Sequence, residues 1–587
     1  MNVLILFLII IPVLFSIALF FTPEKYRKFK EVFFVTVVVF NLWAVCYYFA
    51  KDIFIYLEWA AFNFYFSVIM TRFVEFFLVI AAFFALLAAI FAVRSMKDNP
   101  KAHLFKAGML FALACVNGAL ITDSFIFLLV FIEALAIPFV MMILASANNN
   151  KKLAIKAFTI TAIADLFLMM GIGIVYFLTK TMNISEVSLS LEGFLPAVAF
   201  IFIVIGAAGK LGVMPFHSWM PEASEKTSVP FMVFMATAAE KILGIYILYV
   251  ALKIFGVSGG SLITYILIGV VAVSAVLAAL LANSQKSFKK TLIYTSISQG
   301  SFMMIAMLTA LPVAVAGAVL HLLAHTIYKS CLFFAAGIID DSKAETVSYK
   351  KNPYIFMCFI LAIASFIGVP LFAAFYSKEM IYEGALHLGI VWYIIMILVT
   401  FLCSSAALNW LGKIFFNDDA KFFEYPVTSM IPTVTAALLC LMLGIFKDIP
   451  LAIIHNEIPF PAQEHASLLI IIVSLSALVV VLVNFIAGYK KYNNGLGFVK
   501  PVVSVLKIDK LDENENADPY NLAMNFYNYF AEASFSFDKA LNWVYDTAFV
   551  KSVLFCSELF KKAHNGSMSR YIIWALCGIA VIILFFV

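Results

Sequence analysis

The sequence predicts an all-α polytopic membrane protein with about 16 transmembrane helices. Of its 587 residues, 64% are hydrophobic and only 12% are charged, and the mean hydropathy of +1.03 excludes an ordinary soluble globule. Apolar runs of roughly 18–25 residues, the length of a helix that crosses a bilayer, recur along the whole chain. The predicted spans cover residues 1–21, 30–50, 73–95, 104–121, 124–146, 154–178, 195–215, 229–254, 261–283, 291–309, 312–338, 354–375, 390–414, 428–446, 467–489 and 569–587.

The distribution of basic residues predicts the orientation of these spans. Lys and Arg cluster after the first, third, fifth, ninth and eleventh spans. Because basic loops stay on the cytoplasmic side, both termini are expected to face outward from the cell membrane. The first segment carries its charges after the apolar run, so we interpret it as an anchor and not as a cleaved signal peptide. Segment 52–72, with Glu58 and many aromatic residues, is predicted to be a structured external loop, with a further span as the alternative.

The segment between the last two spans predicts a long lateral helix. Asp518 is a good N-cap, and Pro519 suits the first helical position. Apolar residues then recur every three to four positions as far as about His564. Such a helix would measure about 65 Å, which is much longer than a bilayer is thick. We therefore expect an amphipathic helix along the membrane surface, with a flexible cytoplasmic linker as the alternative.

Several ionisable side chains lie inside predicted spans, where a charge costs at least about 2–3 kcal/mol and usually marks an ion path. The main ones are Glu133, Lys210, Lys241, His321, His325, Lys329 and Lys378. His321, His325 and Lys329 are spaced four residues apart, which aligns them on one helix face. Histidine titrates near neutral pH, so this series is suited to relaying protons. The alternative is that each histidine bonds a neighbouring helix.

Two predicted spans, the seventh and the twelfth, contain helix-breaking residues close to a lysine. These residues are Gly209, Gly212 and Pro215 around Lys210, and Gly368 and Pro370 before Lys378. Interrupted helices often form ion sites in membranes, because their freed backbone groups solvate the ion. The two breaks also indicate two five-helix repeats, the second inverted relative to the first.

The resulting organisation has six parts. They are helices one to three in 1–103, the first repeat in 104–254, the second repeat in 261–414, helices fourteen and fifteen in 428–489, the cytoplasmic linker and lateral helix in 490–568, and the last helix in 569–587.

Glu133 is the clearest acid inside a span, and we expect it to pair with Lys210. Separating such a pair would release the lysine proton, whereas a fixed structural ion pair is the alternative. Glu240 and Lys241 are adjacent, so their side chains point about 100° apart, and we favour Lys241 as the relay member. Further candidate site residues are Asp165, His217, Glu240 and Glu379, with a loop-facing position as the alternative for Glu379.

Cofactor and nucleic-acid sites are not expected in this chain. Its eight cysteines are scattered without a CxxC motif, which argues against an iron–sulfur cluster or a zinc site. The sequence also has no phosphate-binding glycine loop, and no basic patch with interleaved aromatic residues. Any redox chemistry is therefore expected in partner subunits.

The chain resembles the antiporter-like subunits of respiratory complex I, their relatives in membrane-bound energy-converting hydrogenases, and the multisubunit cation/proton antiporters. The resemblance covers roughly residues 70–450. It rests on the strings KAFTITAIADLFLMMGIGI, GKLGVMPFHSWMPEA, FKKTLIYTSISQGSFM, HLLAHTIYKSCLFFAAG and FYSKEMI. Sixteen spans with a lateral helix are similar to the distal, L-type member of this group.

This resemblance implies one proton path per subunit. Glu133 matches the family's acid on the fifth helix, and Lys210 matches its partner lysine on the broken seventh. Lys329, with His321 and His325, matches the central relay, and Lys378 matches the exit-side lysine on the broken twelfth. One departure concerns the eighth helix, which reads EKILGIYIL where relatives read K-x-G-I-Y. This sequence has one extra residue between the lysine and the glycine of that pattern, and Glu240 precedes the lysine.

These features predict a proton-translocating subunit of a complex-I-related oxidoreductase, without a redox centre of its own. Iron–sulfur clusters are implied in peripheral partner subunits, with flavin or a NiFe centre as further candidates beside them. Other membrane subunits, braced by the lateral helix, and the lipid bilayer are the further expected partners. The alternative is a subunit of a sodium/proton antiporter without a redox partner. The transported ion, H⁺ or Na⁺, and the electron donor stay open.

Overall fold

The computed structural model describes residues 5–586 except 23, 50, 52, 60–63, 147–149, 258, 343–346, 417–425, 461–467, 493–498, 507–517 and 565. The chain forms two compact units, Met1–Glu515 and Asn516–Val587. Fourteen of the described helices are long and apolar enough to cross a membrane. Two shorter apolar helices, Phe7–Phe21 and Pro353–Ile367, occupy the predicted first and twelfth spans. The predicted all-α polytopic membrane class is therefore confirmed.

The first unit contains 21 of the helices that the structure describes. They are α1 (Phe7–Phe21), α2 (Arg27–Tyr48), α3 (Arg72–Ser95), α4 (Ala102–Ile121), α5 (Phe125–Ala134), α6 (Ala136–Ser146), α7 (Lys151–Thr179), α8 (Phe194–Leu211), α9 (Trp219–Lys226), α10 (Val229–Phe231), α11 (Glu240–Ile254), α12 (Leu262–Ser284), α13 (Phe288–Leu308), α14 (Pro312–Asp341), α15 (Pro353–Ile367), α16 (Ala373–Leu388), α17 (Ile390–Phe415), α18 (Val427–Ile445), α19 (Asp448–Glu457), α20 (Leu468–Tyr492) and α21 (Val499–Val505). A π-helical segment, Met232–Ala239, joins α10 to α11.

Segment 52–72 contains a β-hairpin, which corrects the alternative of a further spanning helix. Strands β1 (Ile53–Trp59) and β2 (Phe64–Met70) pair antiparallel, with Ile53 opposite Met70. The amide of Asp123 donates to the Ser67 carbonyl, so β2 joins the loop before α5. The segment is structured as predicted, although its regular strands were not predicted, and its external position stays a prediction. Alternating aromatic and aliphatic residues favour this conformation.

Three helical stretches each contain an 18-residue window that is completely buried, and they form the centre of the first unit. They are α13, α14 and the segment Val229–Ile254. Helix α14 packs against α13, α15, α16 and α18, so its histidines and lysine lie in protein and not against lipid. Polar residues on these helices can therefore find partners on neighbouring helices, which makes their burial tolerable.

The helical path is interrupted at both places where the sequence contains glycine and proline beside a lysine. Helix α8 ends at Leu211, where Gly212 adopts a left-handed conformation with φ of 70°. Helix α15 ends at Ile367, where Gly368 has φ of 86°. Glycine tolerates this conformation at a helix end without the steric cost that other residues meet. The predicted spans 195–215 and 354–375 therefore extend past the ends of their helices.

The two predicted five-helix units have the same order of neighbours. Helix α7 packs against the interrupted α8, as α14 packs against α15 and α16. Helix α8 then packs against α11, as α15 and α16 pack against α17. These contacts are compatible with an internal repeat. The repeat, the inversion of its second copy and the orientation of the termini all stay predictions.

The second unit begins with the predicted long helix. Helix α22 (Pro519–Trp543), a π-helical segment (Val544–Phe549) and helix α23 (Val550–Ala563) follow one another without a break. The Asp518 side chain accepts a hydrogen bond from the Tyr520 amide, which confirms the predicted N-cap. Large apolar side chains such as Phe526, Phe537 and Phe555 are exposed along it. The last helix is α24 (Met568–Phe586), and the position of the long helix on the membrane stays a prediction.

Replacing Gly209 by alanine is expected to destabilise the protein, because a methyl group there would lie 2.2 Å from the Ala164 Cβ. Overpacking of this kind costs about 1–3 kcal/mol. The matched control is Gly173→Ala on α7, whose methyl group would meet nothing within 4 Å. Thermal unfolding of the purified protein should show a lower midpoint for Gly209→Ala only. Equal midpoints for both variants would contradict this packing.

Candidate functional site

Lys210 lies between two buried carboxylates. Its ammonium is 2.9 Å from Asp165 Oδ2 on α7 and 3.7 Å from Glu240 Oε2 on α11. All three residues are at most 5% exposed. When both carboxylates are ionised they outnumber the one ammonium, and the resulting negative charge in a low-dielectric site attracts a further proton or cation. We call Asp165, Lys210 and Glu240 the lysine cluster.

Glu133 is not one of the ion-pair partners of Lys210, which corrects the predicted Glu133–Lys210 pair. The lysine instead meets Asp165 and Glu240, because α8 packs directly against α7 and α11. Glu133 is half-buried near the end of α5, where the chain turns at Leu135 before α6 begins. Among the described residues, its carboxylate has no ion pair within 4.0 Å of a basic group. Glu133 stays a candidate site residue that would act on the lysine cluster without contacting it in this structure.

Glu240 and Lys241 both reach α8, although they are adjacent in the chain. Glu240 faces the ammonium of Lys210, while Lys241 donates a 2.7 Å hydrogen bond to the carbonyl of Leu211. Lys210 and Leu211 are consecutive residues at the end of α8. The side chains of Glu240 and Lys241 diverge from α11, so each can contact one of these two residues. Both side chains therefore reach the end of α8, and the choice of Lys241 as the relay member stays a prediction. The preceding π-helical segment places this pair, and Thr237 in it donates to the Met232 carbonyl.

His321 is held by two side chains on different helices. Its Nε2 lies 2.9 Å from Gln299 Oε1, and its Nδ1 lies 2.9 Å from Ser377 Oγ. The Ser377 hydroxyl donates in turn to the Ala374 carbonyl, so its oxygen is free to accept from the ring. Both neighbours therefore present acceptors, and the site can hold an imidazolium as well as a neutral ring.

Lys329 and His325 continue this face of α14 and are fully buried. Lys329 donates to the Leu292 carbonyl at 2.9 Å and also to the Thr295 hydroxyl. Its ammonium lies 4.6 Å from the centre of the Phe366 ring, a favourable cation–π distance. Within the described part of the chain, neither ring nitrogen of His325 has a hydrogen-bond partner. A buried imidazole in this state is ready to bond a transient proton donor or acceptor.

Lys378 lies where the second interrupted helix ends. It donates a 2.6 Å hydrogen bond to the Phe366 carbonyl in the last turn of α15. Beside it, a cavity of about 20 Å³ is lined by Glu379, Thr400 and Ser474 among others, which is room for about one water molecule. Both carboxylate oxygens of Glu379 are buried, and Glu379 shares the lining of this cavity with Ser474. Glu379 thus faces the cavity, which corrects the alternative of a loop-facing position.

Three buried lysines share one kind of partner. Lys241 and Lys378 donate to carbonyls at the C-terminal ends of α8 and α15, and Lys329 donates to a carbonyl of α13. The C-terminal end of a helix carries partial negative charge, which favours an ammonium. A neutral amine still has N–H groups, so it can keep the same hydrogen bond. These lysines can therefore hold their positions whether or not they carry a proton.

Helix α13 supplies several partners that the sequence analysis did not single out. Thr295 bonds Lys329, Gln299 bonds His321, and Gly300 lies against Lys241. The run TSISQGS within the predicted tenth span is the signal that was available, because such a polar stretch needs partners in a membrane. His217 is buried in the segment between α8 and α9. The centre of its ring lies 6.4 Å from the centre of the Tyr294 ring, which belongs to α13.

Comparisons with known proteins place the site within a family domain. Residues 122–404 match the family model described as NADH:quinone oxidoreductase/Mrp antiporter, transmembrane. NADH-quinone oxidoreductase subunit N of Desulforudis audaxviator is 28% identical over 336 residues, which is 55% of this chain and 67% of that protein. One of the Na(+)/H(+) antiporter subunits of Alkalihalophilus pseudofirmus is 27% identical over 313 residues, or 51% of this chain and 63% of that protein. The predicted resemblance to antiporter-like subunits is therefore confirmed.

A solved structure shows the same fold. A chain of the Mrp complex from Dietzia sp. superposes with a TM-score of 0.77 at 18% identity. The match covers 99% of this chain and 62% of that chain, so the superposed protein is considerably longer.

Replacing Gly300 by alanine is expected to displace Lys241 from α8. A methyl group there would lie 2.8 Å from the Leu211 carbonyl oxygen and 3.0 Å from the Lys241 ammonium. A displacement of about 1 Å at a reacting group can reduce a rate roughly 100-fold, and we expect a loss of that order in ion transport by reconstituted vesicles. Gly269→Ala on α12 is the control, since its methyl group would only touch Trp392 at 4.0 Å. Normal transport by the Gly300→Ala variant would show that this contact is dispensable.

Proposed function

We propose that this chain, a member of the antiporter-like subunits shared by complex I and the multisubunit cation/proton antiporters, carries protons across the membrane along its buried polar residues. The observation that supports the proposal best is the series of buried ionisable groups on interlocking helices. It begins at the lysine cluster, continues through Lys241, His325 and Lys329, and reaches Lys378. Helix α13 contacts both halves of the series, because it bonds Lys329 and His321 and lies against Lys241.

Each member of the series is suited to one part of the transfer. In the lysine cluster, Lys210 holds a proton because two carboxylates stabilise its ammonium form. Movement of α7 or α11 would separate a carboxylate from the ammonium, and Lys210 would then release its proton more easily. His325 has unoccupied ring nitrogens among the described residues, and Lys329 keeps its carbonyl partner in either protonation state. Lys378 then lies beside the Glu379 cavity, which we propose as the exit side.

The energy source in this proposal is redox chemistry in partner subunits, which shifts the lysine cluster from a distance. Partner membrane subunits are expected because both named relatives are subunits of larger assemblies. The exposed apolar side chains of α22 and α23 offer a surface for those subunits or for lipid. Iron–sulfur clusters, flavin or a NiFe centre would belong to peripheral subunits of such an assembly.

The alternative function is a subunit of a sodium/proton antiporter without a redox partner. The likeness to one of the antiporter subunits of Alkalihalophilus pseudofirmus favours it. The negative charge of the lysine cluster with both carboxylates ionised is compatible with it, because that charge suits Na⁺ as well as H⁺.

The iron content of the native assembly separates the two functions. After gentle purification, we expect iron and visible absorption typical of clusters, in partners and not in this chain, if redox chemistry drives transport. Vesicles that exchange sodium for protons, with no iron in the assembly, would contradict the redox proposal and support the antiporter.

Replacing Lys329 by alanine is expected to stop proton transfer at the centre of the series. Removing a group that donates and accepts protons lowers a rate by roughly 100-fold or more. Proton uptake by vesicles that contain the assembled complex measures the effect. The control is Lys97→Ala, which removes an exposed basic residue in the loop after α3. Proton uptake at the normal rate in Lys329→Ala would overturn the proposed path.

A further inference from the structure

We propose that Glu240 is itself a proton carrier, which takes the proton from Lys210 and passes it to Lys241. This inference rests on the proposed function and assigns one further residue to it. It concerns the step between the first interrupted helix and the centre of the protein, where the series lacks a direct side-chain connection. Among the described residues no hydrogen bond joins the two amines, because Lys210 contacts Asp165 and Glu240 while Lys241 donates to the Leu211 carbonyl.

The contacts of Lys241 explain why a carrier is needed. Its ammonium is bonded to the Leu211 carbonyl, and a backbone carbonyl can hold a proton donor without accepting the proton. Asp165 is the nearest carboxylate to Lys210, but it lies on α7 and not beside Lys241. Glu240 is the carboxylate that contacts Lys210 and also directly precedes Lys241 in the chain.

The proposed transfer has two balanced steps. First, an N–H bond of the Lys210 ammonium breaks and an O–H bond forms on the Glu240 carboxylate, which leaves a neutral amine and a neutral carboxylic acid. Second, this O–H bond breaks and an N–H bond forms on neutral Lys241, which leaves a carboxylate and an ammonium. The pair is adjacent on α11, so rotation of the Glu240 side chain is the movement that the second step requires.

The π-helical segment Met232–Ala239 lies directly before Glu240. Segments of this kind are frequent at functional sites. The Thr326 hydroxyl of α14 lies 3.4 Å from the carbonyl of Thr237 within it, so the segment is also tied to the helix that carries His325.

Glu240→Gln tests the carrier role, because glutamine keeps an oxygen for Lys210 but cannot take up its proton. We expect proton uptake by vesicles with the assembled complex to fall roughly 100-fold at every pH. Glu240→Asp keeps the carboxylate and should retain a measurable rate. The matched control is Glu192→Gln, at an exposed position before α8.

The pH profile distinguishes a carrier from a mere counter-ion. If Glu240 only tunes Lys210, the rate of Glu240→Gln would recover at a shifted pH, and that recovery would overturn the inference. Lys329→Ala measured in parallel separates this inference from the proposed function. A normal rate in Glu240→Gln with an inactive Lys329→Ala overturns only the carrier role, whereas normal rates in both overturn the proton path as well.

A second variant keeps the inference testable if Glu240→Gln does not assemble. A normal rate and stability in Glu240→Asp, with a pH profile unchanged in shape, would then support a carboxylate carrier. An inactive but stable Glu240→Asp would overturn it.

Discussion

Burial of ammonium groups inside a membrane protein is the constraint on which the rest of this structure depends. A charge in this environment is tolerable only where carboxylates, carbonyls or ring faces replace its water. Lys210 meets this condition with two carboxylates, and Lys241, Lys329 and Lys378 meet it with backbone carbonyls. The helix packing and the helix ends at the centre of the first unit follow from these requirements.

The two interruptions provide carbonyls that a continuous helix would have used for itself. The end of α8 receives Lys241, and the end of α15 receives Lys378, so each half of the protein has a lysine bound to a broken helix. Among the described residues, the additional carboxylates of the lysine cluster belong to the first half. In the proposed mechanism, the first half therefore stores the proton and the second half releases it. Helix α13 supplies polar partners to residues of both halves.

Much of the fold was accessible from the sequence, because apolar runs and helix-breaking residues act locally. The spans, the breaks near Lys210 and Lys378 and the N-cap at Asp518 are of this kind. The site was less accessible, since ion pairing depends on which helices touch. The sequence predicted Glu133 as the partner of Lys210, because no local pattern shows that α7, which carries Asp165, packs against α8. The contact of Glu240 with Lys210 was equally inaccessible, since the sequence pattern does not reveal the π-helical segment before it.

Infrared difference spectroscopy of the working assembly tests the central claim, that the Glu240 carboxylate of the lysine cluster takes up a proton during transport. The account predicts a carboxylic-acid C=O band that appears on turnover, shifts in D₂O and diminishes in Glu240→Gln. A transporting assembly whose spectrum shows no such band, or shows it unchanged in Glu240→Gln, would contradict the account.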